Sequence, residues 1–279
     1  MLSIFDEGGF SPCPAPFNLA AHVLAAGQGQ PNKEALLVLG QSFVETWTYG
    51  QITHAVLGIA TGLVQNGLRP GDYVLLRLGN TVDFPLSYLG ALAAGMMPVP
   101  TSAALTARET QVIVDMLHPS CVLHDEHVPC PDHETIVTLN ELRKWHELPP
   151  AEYQMGDPDR TGYVVFTSGT SGQPRAVAHA HRAIWARQMM FDDWYGLRPD
   201  DRVLHAGAFN WTYTLGTGLM DPWTRGATAL IPEAETRPGD LVKLLLEHRA
   251  TIFAAAPGVY RQMLKEVEAV DLPNLRHGL

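Results

Sequence analysis

From residue 48 onward the apolar positions fall into two recurring patterns, helical spacing and short unbroken runs. Thr48-x-x-Gln51 fits a capping box, in which side chain and backbone satisfy each other's free donors. Ile52, Ala55, Val56, Ile59, Ala60, Leu63 and Val64 follow at helical spacing, and Gly67 stops the run. Arg69-Pro70-Gly71-Asp72 is a turn, after which 73–78 reads as a strand. A helix over about 82–94 ends at Gly95, and 97–100 is extended. Thr106-x-x-Glu109 opens another helix, closed by Pro119, and 121–124 is a short strand. The polar, Pro-rich stretch 129–159 reads as a surface excursion, within which 135–138 can add a strand. Residues 163–166 are apolar and β-branched, as in a buried strand. Beyond them the pattern predicts a helix over 182–194, a strand at 202–205, a helix near 215–223 and a strand at 227–231. A helix then starts near Pro238 and reaches Arg249. A strand at 251–254 and a helix from Pro257 to about 269 complete the series.

Strands that alternate with helices of ten or more residues require crossover connections. The expected fold class is therefore α/β, with mainly parallel sheets flanked by helices. Of 279 residues, 46% are hydrophobic and 17% charged, enough to bury a sizeable core and incompatible with a disordered chain. The formal charge of −10, from 19 basic and 29 acidic residues, argues against a nucleic-acid partner, which needs a basic face. No window offers the roughly 18 uninterrupted apolar residues of a membrane span. Residues 1–7 lack a basic stretch followed by an apolar one, so no signal peptide is expected. Three dispersed cysteines make no disulfide framework, which points to a reducing, cytoplasmic setting.

The chemistry concentrates directly after the strand at 163–166, in Thr167-Ser168-Gly169-Thr170-Ser171-Gly172-Gln173-Pro174-Arg175. Glycines let backbone N–H groups approach a ligand, hydroxyls add donors, and a guanidinium adds charge. Those are the parts of a polyphosphate cradle, although most Gly/Ser clusters after a strand are plain turns. The Gly-x4-Gly-Lys-Ser/Thr and Gly-x-Gly-x-x-Gly patterns are both absent, which excludes the common P-loop and the dinucleotide fingerprint.

The run Thr167 to Arg175, followed by Ala176-Val177 and His179-Ala180-His181-Arg182, resembles the phosphate-loop signature of the adenylate-forming (AMP-binding) superfamily. That superfamily includes acyl-CoA synthetases, peptide adenylation domains and luciferases. Arg175 stands where the family usually has lysine, and Ala176 where it usually has glycine. Arginine keeps the charge and can grip phosphate bidentately, with different geometry. The resemblance extends over nearly the whole chain. Thr46-Trp47-Thr48-Tyr49-Gly50-Gln51-Ile52 is similar to a "TY-x-EL" helix start, Gly71-Asp72-Tyr73-Val74 to a "GD-x-V" strand entry, and Ala91-x3-Gly95-x2-Pro98-Val99-Pro100 to an "A-x-x-x-G-x-x-x-x-P" segment. Thr251-x5-Pro257 is similar to a strand-to-helix step beside the acyl pocket. Pro14-Ala15-Pro16-Phe17-Asn18-Leu19-Ala20-Ala21 resembles benzoate-type ligases.

The resemblance implies an ATP-dependent acid–thiol ligase. A carboxylate attacks the α-phosphate of ATP to give an acyl-adenylate and pyrophosphate, and coenzyme A then displaces AMP. Thr167, Ser168, Gly169, Thr170, Ser171, Gly172 and Arg175 would hold the leaving phosphates, a task of positioning and electrostatics that needs no nucleophile or triad. In Phe209-Asn210-Trp211-Thr212-Tyr213-Thr214-Leu215-Gly216, the family places one wall of its acyl pocket. Asn210, Trp211, Thr212 and Tyr213 would line it, with aromatic area and orienting polar groups suited to an aromatic or alicyclic acid. Cys121, His124, His127, Cys130 and His133 recur at every third residue with zinc-compatible side chains. A spacing of three on a strand puts Cys121 and His124 on opposite faces, Pro129 and Pro131 restrict the loop, and no metal site is expected there.

Family members continue well beyond the equivalent of Leu279, with an adenine segment, a Mg²⁺-holding glutamate, a ribose-binding aspartate and a catalytic lysine on a mobile domain. Residues 1–279 therefore read as an incomplete N-terminal AMP-binding domain that is inactive alone, with the Mg²⁺ ligand expected beyond Leu279. Two sub-regions are expected: a first α/β unit at roughly 45–195 with the phosphate loop, and a second, incomplete, from 10–44 plus 200–279. An open sheet edge would favour self-association. The competing reading is a complete, non-catalytic protein that keeps the fold for binding or assembly.

Overall fold

Helices α2 (Tyr49–Gln65) and α3 (Asp83–Ala93) lie between two mainly parallel sheets and bury apolar side chains against both. The structure, a computed structural model of the chain, describes residues 9–40, 42–168, 174–234, 236–267 and 269–279. In chain order its elements are α1 (Leu19–Leu24), β1 (Glu34–Leu39), β2 (Val44–Thr48), α2 (Tyr49–Gln65), β3 (Tyr73–Arg77), α3 (Asp83–Ala93), β4 (Met97–Pro100), α4 (Ala107–Leu117), β5 (Cys121–His124), β6 (Ile136–Thr138) and α5 (Leu139–Trp145). After these come β7 (Thr161–Ser168), β8 (Pro174–Ala180), α6 (Ala183–Arg187), α7 (Met189–Asp193), β9 (Arg202–His205), a π-helical turn (Thr214–Met220), α8 (Asp221–Arg225), β10 (Thr228–Pro232), α9 (Leu241–Glu247), β11 (Ile252–Ala254), α10 (Pro257–Glu266) and β12 (His277–Gly278).

One sheet has the order β12-β11-β9-β10-β1-β2, parallel except for β2, and the other has the order β4-β3-β5-β6, parallel throughout. Strands with helices on both faces must be apolar on both, which is why Leu36 and Val38 point into the central core while Leu37 and Leu39 pack with α9. The same division holds in the other sheet: Val74 and Leu76 face α2 and α3, whereas Leu75, Val99 and Val122 meet Ile113 and Val114 of α4. Each such side chain contributes about 1.5–3 kcal/mol when taken from water. The central helix begins as its capping box requires: Thr48 accepts from Gln51 N, and Gln51 returns the bond to Thr48 N. Trp223 is fully buried, with its indole N–H on the Ala35 carbonyl at 2.8 Å.

The α/β class and the mainly parallel sheets stand, while several elements differ from the sequence reading. The stretch 182–194 is two short helices, α6 and α7, rather than one. The stretch 215–223 is a π-helical turn followed by α8. The strand at 163–166 extends to eight residues and pairs antiparallel with β8, so it belongs to a hairpin with alternating burial rather than to a fully buried strand. Elements α1, β1, β2, α5 and β8 had no expectation. Among the described residues no helix is long and apolar enough to cross a membrane.

Candidate active site

The β7–β8 hairpin brings the two ends of the Gly/Ser run together. Thr167 pairs directly with Arg175 and Ser168 with Pro174, so Thr167 and Arg175 project from the same face at the mouth of the loop. Gly169, Thr170, Ser171 and Gly172 lie outside the described residues. Arg175 is exposed, and among the described residues no carboxylate pairs with it. The hairpin's base packs on its surroundings. Val164 is buried with Leu75, Val99 and Val122. The Tyr163 ring stacks on His179 at 4.7 Å with 5° between planes, and meets Tyr88 of α3 edge-on at 5.6 Å.

The aromatic segment leaves the carboxyl end of β9. Its first turn is tied to the other sheet, because the Phe209 N–H donates to Asn80 Oδ1 at 2.6 Å, just after β3. Strands β9 and β10 are parallel neighbours whose onward connections depart on opposite faces: the π-helical turn and α8 join the central core, and α9 packs on the far side. Such a divergence opens a crevice at the strands' carboxyl ends, the usual ligand position in an open parallel sheet. A cleft of about 140 Å³ lies there, lined among others by Asn80, Gly207, Ala208, Pro232 and Thr236.

Trp211 and Tyr213 pack edge-to-face at 5.1 Å, and both cover His205, at 6.0 and 4.5 Å respectively. Trp211 keeps 42% of its surface exposed, Thr212 is exposed, and Asn210 and Tyr213 are half-buried. His205 was not legible as a site residue. It is fully buried, its Nδ1 lies 3.3 Å from Thr214 Oγ1, and its Nε2 has no hydrogen-bond partner among the described residues. Burial lowers its pKa to about 4, so the ring is neutral at pH 7. Gly207 and Gly218 make room for it, since a Cβ on either would come within 2.9 Å of the histidine side chain. A π-helical turn is rare and is often found at functional sites, and this one follows the aromatic segment directly.

A buried ion pair supports that turn. Arg187 at the end of α6 donates Nε to Asp221 Oδ1 at 2.7 Å and Nη2 to Asp221 Oδ2 at 2.5 Å, with a further bond from Nη2 to Thr217 Oγ1 at 3.1 Å. The Tyr195 hydroxyl donates to the same carboxylate. Burial pushes the Asp221 carboxyl up while Arg187 and Tyr195 pull it down. Arg187 is held above its ordinary range: burial opposes its charge, and the bonds and charge of Asp221 outweigh that. Burial raises the hydroxyl pKa of Tyr163 on the hairpin and of Tyr213 in the aromatic segment, and the Arg187 charge opposes that rise at both.

The Cys121 to His133 series takes up local bonds. Cys121 is buried in β5, His124 Nε2 contacts the Val128 carbonyl at 2.9 Å, and His133 accepts the Thr135 N–H at Nδ1 and contacts the Pro119 carbonyl through Nε2. Among the described residues there is no group of three His, Cys, Asp or Glu side chains arranged for a metal.

Known proteins share both sequence and fold with this chain. It is 25% identical over 280 residues to the 3-hydroxybenzoate–CoA/4-hydroxybenzoate–CoA ligase of Thauera aromatica, which covers 90% of the chain and 51% of that relative. It is 28% identical over 238 residues to the 4-hydroxybenzoate–CoA/benzoate–CoA ligase of Rhodopseudomonas palustris, covering 78% of the chain and 44% of the relative. The fold matches a benzoate CoA ligase from Burkholderia xenovorans LB400 with a TM-score of 0.79 at 22% identity, over 94% of this chain and 55% of that one. It matches the anthranilate CoA ligase AuaEII, solved with anthranoyl-AMP, with a TM-score of 0.82 at 22% identity, over 95% and 54%. The chain spans about half the length of the curated relatives it matches. Its sequence fits the AMP-binding enzyme family over residues 23–279, and the chain belongs to that family.

Proposed function

We propose that this chain supplies the phosphate-gripping and acid-binding half of an ATP-dependent acid–CoA ligase that activates an aromatic or alicyclic carboxylic acid through an acyl-adenylate. The observation that carries this reading is the cross-strand pair Thr167–Arg175, which closes a Gly/Ser loop with a hydroxyl and an exposed guanidinium on the same side. In the first step the acid's carboxylate oxygen bonds to the α-phosphorus of ATP, and the bond to the bridging oxygen breaks as pyrophosphate leaves. Arg175 and the loop donors stabilise the charge that gathers on the leaving group. Trp211 and Tyr213 supply flat apolar area for the acid, and Asn210 and Thr212 orient it. In the second step the thiol of coenzyme A attacks the acyl carbon and AMP leaves. Mg²⁺ finds no donor cluster among the described residues, and the roles of Arg175 and of the aromatic segment do not depend on it. The aromatic class of acid rests on the hydroxybenzoate and benzoate ligases among the relatives and on the Trp211–Tyr213 pair.

Binding of pyrophosphate and ATP, followed by calorimetry, tests the grip. The chain should bind both, and Arg175→Ala should weaken binding by about tenfold or more, as expected for loss of a charge-assisted contact. Arg175 is exposed, so the variant should keep its fold. Equal affinity in the two proteins would remove the assignment. The chain alone should also show no carboxylate-dependent exchange of pyrophosphate into ATP, because it spans only about half of its relatives.

A further inference from the structure

Arg187 is held so that one arm of its guanidinium stays unused. Nε and Nη2 are committed to Asp221 and Thr217, whereas Nη1 has no partner among the described residues. The side chain is 29% exposed and so is not sealed in the core. The guanidinium lies flat over the backbone of Gly216, where a Cβ would come within 2.9 Å of Cζ and 3.1 Å of Nη1. Glycine at 216 is therefore what lets the group sit on the π-helical turn, three residues after Tyr213. Its charge acts on Tyr213 and, across the site, on Tyr163 at the base of the hairpin.

The chemistry of such an arm is specific. Asp221 already neutralises the cation, so the pair offers little net attraction for a second anion. What remains is a fixed N–H donor, aimed by a bidentate bond and backed by a carboxylate that Tyr195 also holds. A fixed donor of this kind recognises a neutral acceptor, such as a hydroxyl or ether oxygen on a ring. Leaving such a donor unmatched beside an apolar ligand costs affinity, so it discriminates strongly between substituted and plain rings.

We propose that Arg187 Nη1 is a specificity-determining donor that reads an oxygen substituent on the ring of the bound acid. This rests on the acid-binding role of the aromatic segment. Asp221, Thr217 and Gly216 are its positioning residues, and the carboxylate end of the acid is left for the hairpin side.

The test compares benzoate, methylbenzoates, hydroxybenzoates and methoxybenzoates as ligands of the chain, by calorimetry. In Arg187→Lys, lysine keeps the pair with Asp221 but has no second arm. Affinity for hydroxy and methoxy acids should fall by about tenfold, while benzoate and methylbenzoates, relieved of an unmatched donor, bind as well as before or more tightly. Equal loss for all four classes, or no loss for any, overturns the proposal and leaves the acid-binding role intact. Failure of every aromatic acid to bind the unaltered chain overturns both. A second measurement needs no variant: in the ¹⁵N-arginine-labelled chain, the Arg187 Nη1 resonance should shift with hydroxybenzoate and not with methylbenzoate. Identical shifts with both ligands would also overturn it.

Discussion

Two histidines that look unremarkable in the sequence govern how the protein responds to acid. His181 and His205 are both fully buried, and burial lowers each pKa to about 4, with Arg160 adding to the effect at His181. At His181 the geometry agrees, because Nδ1 accepts the Leu19 N–H at 3.0 Å and cannot also carry a proton. On unfolding each regains the ordinary value of 6.5. Between about pH 6.5 and pH 4 the unfolded chain therefore binds more protons than the folded one. Their contribution to stability should be fully present above that window, fall as pH drops through it, and level off below. Each histidine accounts for on the order of 3 kcal/mol. Urea midpoints at pH 7 and pH 4.5 measure the fall, and His181→Gln, whose amide can accept the same N–H, should make it shallower. A variant as pH-sensitive as the parent would contradict this. The Gly/Ser run and the aromatic residues stood out as candidates because their types announce chemistry. His205 and Arg187 were not, since a lone histidine ending a strand and a lone arginine in a helix carry no local pattern.

At the scale of elements, capping explains both what was visible and what was missed. Thr48/Gln51 and Thr106/Glu109 open helices as expected, with both reciprocal bonds formed. The same signature stands at Thr138/Glu141 and starts α5, which the surrounding prolines and polar residues disguised as a loop. Helix α1 has the most consequential cap. Asn18 Oδ1 accepts from Ala20 and Ala21, while its Nδ2 donates to the carbonyls of Leu92 at 2.8 Å and Gln154 at 2.9 Å. One buried side chain thus fixes a helix start and joins it to the end of α3. Asn18→Ala should cost about 1 kcal/mol for the cap and about 0.5–1.5 kcal/mol for each hydrogen bond lost, because the Leu92 and Gln154 carbonyls still accept from the Gly95 N–H and Arg160 Nη2. Asn18→Asp keeps the acceptor and loses the donors, so it should not rescue. Rescue by aspartate in thermal or urea unfolding would mean that the cap alone matters.

Across the whole molecule, the two sheets meet through α2 and α3, and a hydrogen bond links segments that follow the carboxyl ends of their strands. Asn80, after β3, holds the Phe209 N–H of the aromatic segment, after β9. Phe209 is fully buried, so its N–H has no water to fall back on. Asn80→Ala should destabilise the fold by about 1–3 kcal/mol and loosen the segment that carries Trp211. Asn80→Asp keeps the acceptor oxygen and should lose less. Urea unfolding gives the first quantity. Hydrogen exchange at Phe209 and Trp211 gives the second, and unchanged exchange in Asn80→Ala would show that the segment is held by packing alone.

The sequence by itself determined the α/β class, most strands from β3 onward and their crossover helices, because those depend on periodicity and capping within a few residues. It also marked the Gly/Ser run and the aromatic segment as candidates for chemistry, because hydroxyls, glycines and aromatic rings in a row are local signals. Only the tertiary structure decided that β7 folds back on β8 and sets Thr167 against Arg175, since pairing joins residues across a loop and periodicity does not record the partner. The same is true of β1, whose Ala35–Leu39 run suits a strand or a buried helix equally until β10 and β2 flank it. The crevice between β9 and β10, the burial of His205 and the anchoring of Arg187 on Asp221 all join residues from separate elements. Their physics resides in long-range contact and desolvation, which come into being only when the chain has folded.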